Sequence, residues 1–324
     1  MGTGKKQLVL GGTGQLGLSL LRYLLSVGRG ARTIVRNPDK LYEAGLHEEI
    51  EVLTAEMDDV WTLRKIIEGS SAVYYCSTKW ITEPQDALIE MIWAERIANA
   101  CLEFDVRLVV PSCAWVYGRT TVNPIPETHP LLSSAPYGTA KAAVEHVVMK
   151  LARASGLPAT VLRLPALWGP FARCPVSINP LRAVARGRGF PLPGDGETKV
   201  EWLDPRDAAR ALHSCTENDR TIGQVYNVPG SGEILWREFG AWVAKVAGIG
   251  PKIRRIPSGF AGRLLGQSGF EQTLSWWYSN PLILDGSEFR RDTGFVHTYQ
   301  LRQSIADAWQ WYSNRRPEDV YGIA

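Results

Sequence analysis

The chain has 324 residues, of which 45% are hydrophobic and 21% charged, and its formal net charge is +3 at pH 7. These values are typical of a soluble globular protein, and so small a charge argues against binding to nucleic acid. The sequence has no apolar run near the roughly 18 residues that span a bilayer, so we expect no membrane segment. Five scattered cysteines without metal-ligand spacing, and a start that leads directly into a strand, favour a reduced, cytoplasmic setting without a metal site.

The first half of the chain alternates short aliphatic runs with longer amphipathic segments, the pattern of a parallel α/β sheet. Strands are predicted at residues 8–10, 33–35, 52–53, 73–75, 107–110, 160–162 and 225–228. Leucines recur at helical spacing from residue 16 up to Gly28, and further helices are predicted over 86–104 and from Lys141 to residue 151.

The residue composition changes from Trp168 onward, where prolines and glycines are frequent and predict loops rather than a second sheet layer. We therefore predict a Rossmann-type, doubly wound parallel sheet over residues 1–167, to which residues 197–230 return. Residues 168–196 and 231–324 are predicted to form a smaller, C-terminal substrate-binding region.

A glycine-rich turn joins the first predicted strand to the first helix. Residues 11–17 (GGTGQLG) fit Gly12-x-Gly14-x-x-Gly17 or the wider Gly11-x-x-Gly14-x-x-Gly17. Both versions let the backbone approach a pyrophosphate and direct a helix N-terminus at the anion. The turn therefore predicts a dinucleotide site, with contacts from Gly11, Thr13, Gly14, Gln15, Leu16 and Gly17.

The end of the second strand indicates which cofactor binds. NAD sites usually have an acidic residue there for the ribose 2′-hydroxyl, whereas NADP sites have an arginine. This chain has Arg36 directly after the strand and Lys40 close behind. We expect NADP(H), with NAD possible; the alternative is that both cations only face solvent.

Tyr137 and Lys141 form the second informative motif. A free phenol has a pKa of about 10, which makes it a poor proton-transfer group at neutral pH. Residues four apart lie on one helix face, so the charge of Lys141 would favour the phenolate of Tyr137. The pair is therefore predicted to be an acid/base centre.

With both motifs placed, the chain resembles the extended short-chain dehydrogenase/reductases, the NAD-dependent epimerase/dehydratase family, over nearly its whole length. Similar landmarks follow in order at residues 112–118 (SCAWVYG), 125–130 (IPETHP), 162–165 (LRLP), 169–170 (GP), 194–196 (GDG) and 226–228 (YNV). The resemblance implies that Tyr137 is the general acid/base and that Lys141 polarises it and holds the nicotinamide ribose. It also implies a homodimer formed through the helices that contain Trp93 and Val144.

Further cofactor contacts are implied by the same resemblance. They are Glu56 and Met57 at the adenine, Cys76, Ser77 and Thr78 after the fourth strand, and Pro165 and Leu167 near the nicotinamide.

Cys113 is the first departure from the family's pattern, because the family has a catalytic Ser or Thr at this position. A thiol is a weaker hydrogen-bonding group than a hydroxyl, so Cys113 is expected to participate weakly. Ser112 is an alternative, although successive strand residues point to opposite faces. As a nucleophile, Cys113 would have no obvious base beside it.

Other departures concern the substrate. Ala114 and Trp115 stand where the family's sugar-nucleotide dehydratases have an Asp-Glu pair, and Ala166 stands where its epimerases have Asn. The epimerases have an Arg before a later segment that begins with Val. This chain aligns Val200 with that segment, and the residue before it is Lys199. A different anion site could be formed by Arg182, Arg254 and Arg263.

Three tryptophans, Trp80, Trp115 and Trp168, lie on segments expected to border the pocket. They favour a flat or apolar substrate, and the alternative is simple core packing. We therefore expect an enzyme that interconverts a carbonyl and an alcohol on a small substrate that is not a sugar nucleotide. Two alternatives stay open: a sugar-nucleotide epimerase or dehydratase, and a catalytically impaired protein that senses nicotinamide nucleotides.

Overall fold

The structure, a computed structural model, describes residues 5–78, 81, 84–256 and 277–315. Within these residues, seven parallel strands form one sheet, and they are β1 (Lys6–Leu10), β2 (Ala31–Val35), β3 (Glu51–Thr54), β4 (Ser70–Tyr75), β5 (Arg107–Cys113), β6 (Ala159–Leu164) and β10 (Val225–Asn227). Their order is β10-β6-β5-β4-β1-β2-β3. The predicted Rossmann-type, doubly wound sheet is confirmed.

Helices cover both faces of the sheet, which explains why its central strands are continuous apolar runs. On one face lie α1 (Gln15–Ser26) and α7 (Pro205–Ser214); on the other lie α3 (Val60–Glu68), α4 (Pro84–Glu103) and α5 (Pro136–Ser155). A short helix, α2 (Asp39–Glu43), follows β2. Because the strands are parallel, their carboxyl ends and the loops that follow lie along one edge, where ligands bind in such sheets.

The prediction of loops rather than a second sheet layer in the segment that follows Trp168 is wrong. The chain forms α6 (Pro175–Ala185), α8 (Trp236–Val246) and two small sheets: β7 (Ala166–Leu167), β9 (Lys199–Leu203) and β11 (Glu233–Leu235) in one, β8 (Phe190–Pro193) and β12 (Ile253–Ile256) in the other. These strands have two to five residues each, too few to show a period, and their partners are distant in the chain.

An aromatic cluster holds this smaller region together. Trp202 stacks on Phe239 at 4.9 Å between ring centroids, and Trp168 packs edge-on against Phe239 at 4.7 Å. Trp236 and Trp277 extend the same cluster. Helices α9 (Ser287–Thr293) and α10 (Leu301–Ser313) complete the described chain.

Residues 197–230 contribute one strand to the central sheet and one to a small sheet. β10 joins the central sheet from within residues 197–230, whereas β9, from the same stretch, pairs with β7 and β11. The proposed division into two regions therefore stays a prediction. Among the helices that the structure describes, none is long and apolar enough to cross a bilayer.

Candidate active site

The glycine turn is closed by its own backbone. The N–H of Gly14 donates to the carbonyl of Gly11 at 3.0 Å, and Gly11 has a φ of +84°, a conformation that favours glycine. A Cβ at Gly17 would overlap the Gly11 carbonyl oxygen. Only glycine therefore fits at both positions, and the turn brings the start of α1 against β1 as a dinucleotide site requires.

A cavity of about 380 Å³ runs from this turn to Tyr137, a volume within the range of small-molecule sites. Thirteen of the predicted site residues line it, and they are Gly14, Gln15, Leu16, Gly17, Lys40, Cys76, Thr78, Cys113, Trp115, Tyr137, Lys141, Pro165 and Leu167. The structure thus brings the glycine turn, the Tyr137–Lys141 pair and the ends of several strands to one space, and these residues fit a bound dinucleotide.

Other predicted residues lie elsewhere. Gly11, Thr13, Arg36, Glu56, Met57, Ser77 and Trp168 are not among the residues that line the cavity. Arg36 and Glu56 are exposed after β2 and β3, while Trp168 is buried in the aromatic cluster. Trp80 lies outside the described residues. Contacts from these residues to a ligand stay predictions.

Tyr137 and Lys141 lie on the first two turns of α5. The Lys141 Nζ is 5.8 Å from the centre of the Tyr137 ring and 3.8 Å from Oε2 of Glu90 on α4. The Trp115 ring packs edge-on against Tyr137, with centroids 5.6 Å apart. Tyr137 is thus held between an aromatic wall and a buried cation.

Burial raises the pKa of Tyr137 well above its ordinary value, and nearby Cys113, Cys174 and Glu90 add to the rise. The direction is opposite to the lowering expected from Lys141, because the buried phenol loses the solvation that would stabilise its charged form. Within this site Tyr137 keeps its proton at neutral pH and is suited to donate it.

The family can now be assigned. The sequence profile of the NAD dependent epimerase/dehydratase family matches residues 7–229. The chain belongs to this family. The resemblance to the extended short-chain dehydrogenase/reductases inferred from the motifs is thereby confirmed, and with it a nicotinamide-dependent type of enzyme.

Individual relatives agree with this assignment. A dTDP-glucose 4,6-dehydratase of Neisseria meningitidis serogroup B is 25% identical over 352 residues, which cover 96% of this chain and 94% of the relative. A UDP-glucose 4-epimerase from Thermotoga maritima has a TM-score of 0.80 at 20% identity and covers 95% of this chain and 98% of its own. A UDP-glucuronic acid 4-epimerase from Bacillus cereus, solved in complex with NAD, has a TM-score of 0.81 at 16% identity, with coverages of 95% and 98%.

Cys113, predicted to stand where the family has its catalytic hydroxyl, is the last residue of β5. Burial raises its pKa to about 12, although Lys141 opposes the rise. A thiol with this pKa stays protonated at neutral pH, which argues against a nucleophilic role. The neighbouring Ser112 also lines the cavity, and its buried Oγ has no hydrogen-bond partner among the described residues.

Several residues that line the cavity were missed by sequence reasoning. From α6 and the segment before it come Arg173, Cys174, Val176 and Ser177, and β9 contributes Trp202. The sequence signal for the residues around the start of α6 was the family landmark Gly169-Pro170 just before them. Gln15 connects the two regions, because its Nε2 donates to the carbonyls of Gly169 and Pro170 at 3.3 and 3.0 Å.

Proposed function

We propose that this protein catalyses the reversible oxidation of an alcohol on the glycosyl group of a nucleoside diphosphate sugar, with a nicotinamide dinucleotide as hydride carrier. The observation that carries the proposal is the composition of the cavity. It joins the glycine turn to a Tyr–Lys pair, and its described lining contains no Asp or Glu. The sugar-nucleotide enzymes among the relatives support the substrate class.

The chemistry assigned to this chain needs one proton-transfer group. As the phenolate, Tyr137 would take the proton of the sugar hydroxyl during oxidation, and as the phenol it would return the proton to the carbonyl during reduction. Lys141 would stabilise the developing negative charge and hold the ribose of the cofactor. The bound nicotinamide would accept and return the hydride.

An epimerase or dehydrogenase fits this site better than a dehydratase. Elimination of water needs an acid/base group in addition to Tyr137. At the family's Asp-Glu position the chain has Ala114 and Trp115, which cannot transfer a proton, and both line the cavity. The thiols of Cys113 and Cys174, with pKa values raised by burial to about 12 and 11, do not replace a carboxyl group.

Arg173 is our candidate for binding the diphosphate. It is the one arginine among the described residues that line the cavity, and a guanidinium suits phosphate oxygens. The cations considered from the sequence are less suitable because Lys199, Arg182 and Arg254 do not line the cavity. Arg263 lies outside the described residues.

Cofactor choice, assembly and location stay predictions. Lys40 lines the cavity together with Gly14, which supports the proposed preference for NADP(H), whereas related structures contain NAD. A fluorescence titration with NADH and NADPH tests it, and equal affinities would contradict the preference. The homodimer and the cytoplasmic setting are likewise proposals from the sequence.

A second candidate function is reduction of a small apolar ketone or aldehyde. It is favoured by the apolar side chains of the cavity, among them Trp115, Leu167, Val176 and Trp202, and by Ala166 in place of the epimerase Asn. The nicotinamide-sensing alternative keeps the same cofactor site but predicts no turnover.

The test is to incubate the protein with NAD or NADP and a panel of UDP- and dTDP-sugars, in parallel with NADPH and a panel of ketones. Sugar isomers or keto sugars support the proposal. Loss of NADPH with ketones alone supports the second candidate, and tight cofactor binding without any turnover supports the sensor. Tyr137→Phe should lower either activity by about 100-fold or more while cofactor affinity is retained.

Arg173→Ala separates the two substrate classes. Loss of a charge-assisted contact to phosphate should raise KM for the nucleotide sugar about tenfold and leave ketone reduction unchanged. Arg188→Ala, an exposed arginine shortly after α6, is the control. An unchanged KM in Arg173→Ala would remove this residue from the diphosphate site.

A further inference from the structure

A glutamate lies behind the catalytic lysine. Glu90, on α4, has 0% of its surface exposed, and its Oε2 is 3.8 Å from the Nζ of Lys141, which is 5% exposed. A buried carboxylate is costly unless a cation or hydrogen bonds compensate it. No sequence motif pointed to Glu90, because α4 is far from the Tyr137–Lys141 motif in the chain.

The charged and titratable groups around this pair come from four elements. They are Tyr75 and Cys76 at the end of β4, Cys113 on β5, Tyr137 and Glu145 with Lys141 on α5, and Cys174 before α6. Glu145 is bound to Arg163, with nitrogen–oxygen distances of 2.8–3.2 Å. Glu90 thus lies within ion-pair distance of Lys141.

We propose that Glu90 is a positioning residue, whose carboxylate anchors the Lys141 ammonium and offsets part of its charge at Tyr137. The inference rests on the proposed function only in taking Tyr137 as the acid/base; it holds for any substrate. At 3.8 Å from the ammonium, the carboxylate offsets part of the lysine charge that acts on the phenol, and burial leaves little screening by salt.

The consequence concerns the proton of Tyr137. With Glu90 ionised, Lys141 stabilises the phenolate less, so Tyr137 keeps its proton to higher pH. The raised pKa of Tyr137, caused first by burial and then by Cys113, Cys174 and Glu90, agrees with this direction. Without the Glu90 carboxylate, the charge of the Lys141 ammonium acts on the phenol without this offset.

The test compares pH profiles of the oxidation direction, which requires the phenolate. Glu90→Gln should move the rising limb of kcat about one pH unit lower, because it removes the opposing charge with almost no change in shape. Glu90→Asp should retain most of the wild-type profile. Glu95→Gln makes the same change at an exposed position of α4 and should leave the profile unmoved. A rising limb of kcat at the same pH in the wild type and in Glu90→Gln would overturn the proposal.

A measurement without substrate separates this inference from the proposed function. In protein labelled at the tyrosine ring Cζ and saturated with NAD, the Tyr137 signal is assigned by its loss in Tyr137→Phe. Its titration midpoint should be about one pH unit lower in Glu90→Gln than in the wild type. A shifted midpoint without turnover of any sugar nucleotide leaves the Glu90 inference intact and refutes the substrate class. An unmoved midpoint, in a variant whose thermal unfolding remains cooperative, refutes the role of Glu90.

Discussion

The thiol of Cys113 and the phenol of Tyr137 both line the cavity, and burial raises the pKa of each. The two groups differ in what they can do there. Tyr137 is the group that we propose exchanges a proton with the substrate, whereas Cys113 can only make weak hydrogen bonds. At the position where the family has a catalytic Ser or Thr, this chain therefore offers a weaker hydrogen-bonding group, and orientation of the substrate oxygen should limit the rate.

Cys113→Ser tests this limit. A hydroxyl donates and accepts stronger hydrogen bonds than a thiol of similar shape, so kcat/KM for the reactive substrate should rise several-fold, with KM for the cofactor unchanged. Steady-state kinetics in both directions measure the effect.

Cys113→Ala is the matched control, because it removes the thiol without adding a hydroxyl. If Cys113→Ser and Cys113→Ala are equally active, the side chain at this position does not orient the substrate. If both are inactive, the thiol has a role that the hydroxyl cannot replace.

Residues within one short motif could be predicted from the sequence, and residues brought together by the fold could not. The glycines of the turn and the Tyr137–Lys141 pair are local patterns with a known geometry. Glu90 and Arg173 reach the same site from α4 and from the segment before α6, and nothing in their own neighbourhood marks them. Trp168 lies in the aromatic cluster, which shows that a tryptophan near a predicted pocket can equally fill the core.

At the scale of elements, α5 is fixed to the sheet by one buried ion pair. Arg163 on β6 donates to both carboxylate oxygens of Glu145, and its Nη1 also donates to Tyr117 and to the carbonyl of Glu127 at 2.8 and 3.0 Å. Glu145 lies one turn after Lys141 on the same helix. The pair therefore helps to fix the position of Lys141, the proposed catalytic lysine, as well as the packing of α5.

Glu145→Ala should be strongly destabilising, by about 3–5 kcal/mol, because it leaves the Arg163 guanidinium buried without its counter-charge. Urea denaturation followed by fluorescence measures the free energy of unfolding. The double variant Arg163→Met/Glu145→Leu should recover much of the loss, because it removes both charges together.

The exposed ion pair between Arg64 and Glu103 provides the comparison. Glu103→Gln should have little effect on unfolding, because solvent screens such a pair. Equal losses for Glu145→Ala and Glu103→Gln, or a double variant no more stable than Glu145→Ala, would contradict the anchoring role of the buried pair.

At the scale of the whole molecule, the central sheet follows from a pattern that repeats, whereas the smaller region depends on contacts between distant segments. Buried carboxylates on β9, on α7 and at the residue between them make many of these contacts. Asp207 accepts the N–H groups of Thr298 and Tyr299, Asp204 accepts the Ser304 hydroxyl, and Glu201 accepts the N–H of Leu284. An acidic residue in a sequence normally predicts an exposed position, so these links could not be foreseen.

Glu201 makes one of these links dependent on pH. Its side chain is buried, which raises its pKa to about 8, against the lowering effect of the N–H groups of Leu284 and Gly230. Between pH 4.5 and about 8, the folded protein therefore keeps a proton on Glu201 that the unfolded chain has already released. Since the folded state binds more protons in this window, the free energy of unfolding should fall as pH rises through it and level off above about pH 8.

Glu201→Gln should remove this part of the pH dependence, because a neutral amide can accept the N–H of Leu284 but does not titrate. We expect thermal unfolding of the variant and the wild type to occur at similar temperatures at pH 5, and the variant to be the more stable at pH 8.5. Scanning calorimetry from pH 5 to 9 measures the difference, and Glu238→Gln, an exposed glutamate on α8, controls for the loss of a negative charge. Parallel pH curves for Glu201→Gln and the wild type would show that Glu201 has an ordinary pKa in the folded protein and that its buried link to Leu284 is made by the carboxylate.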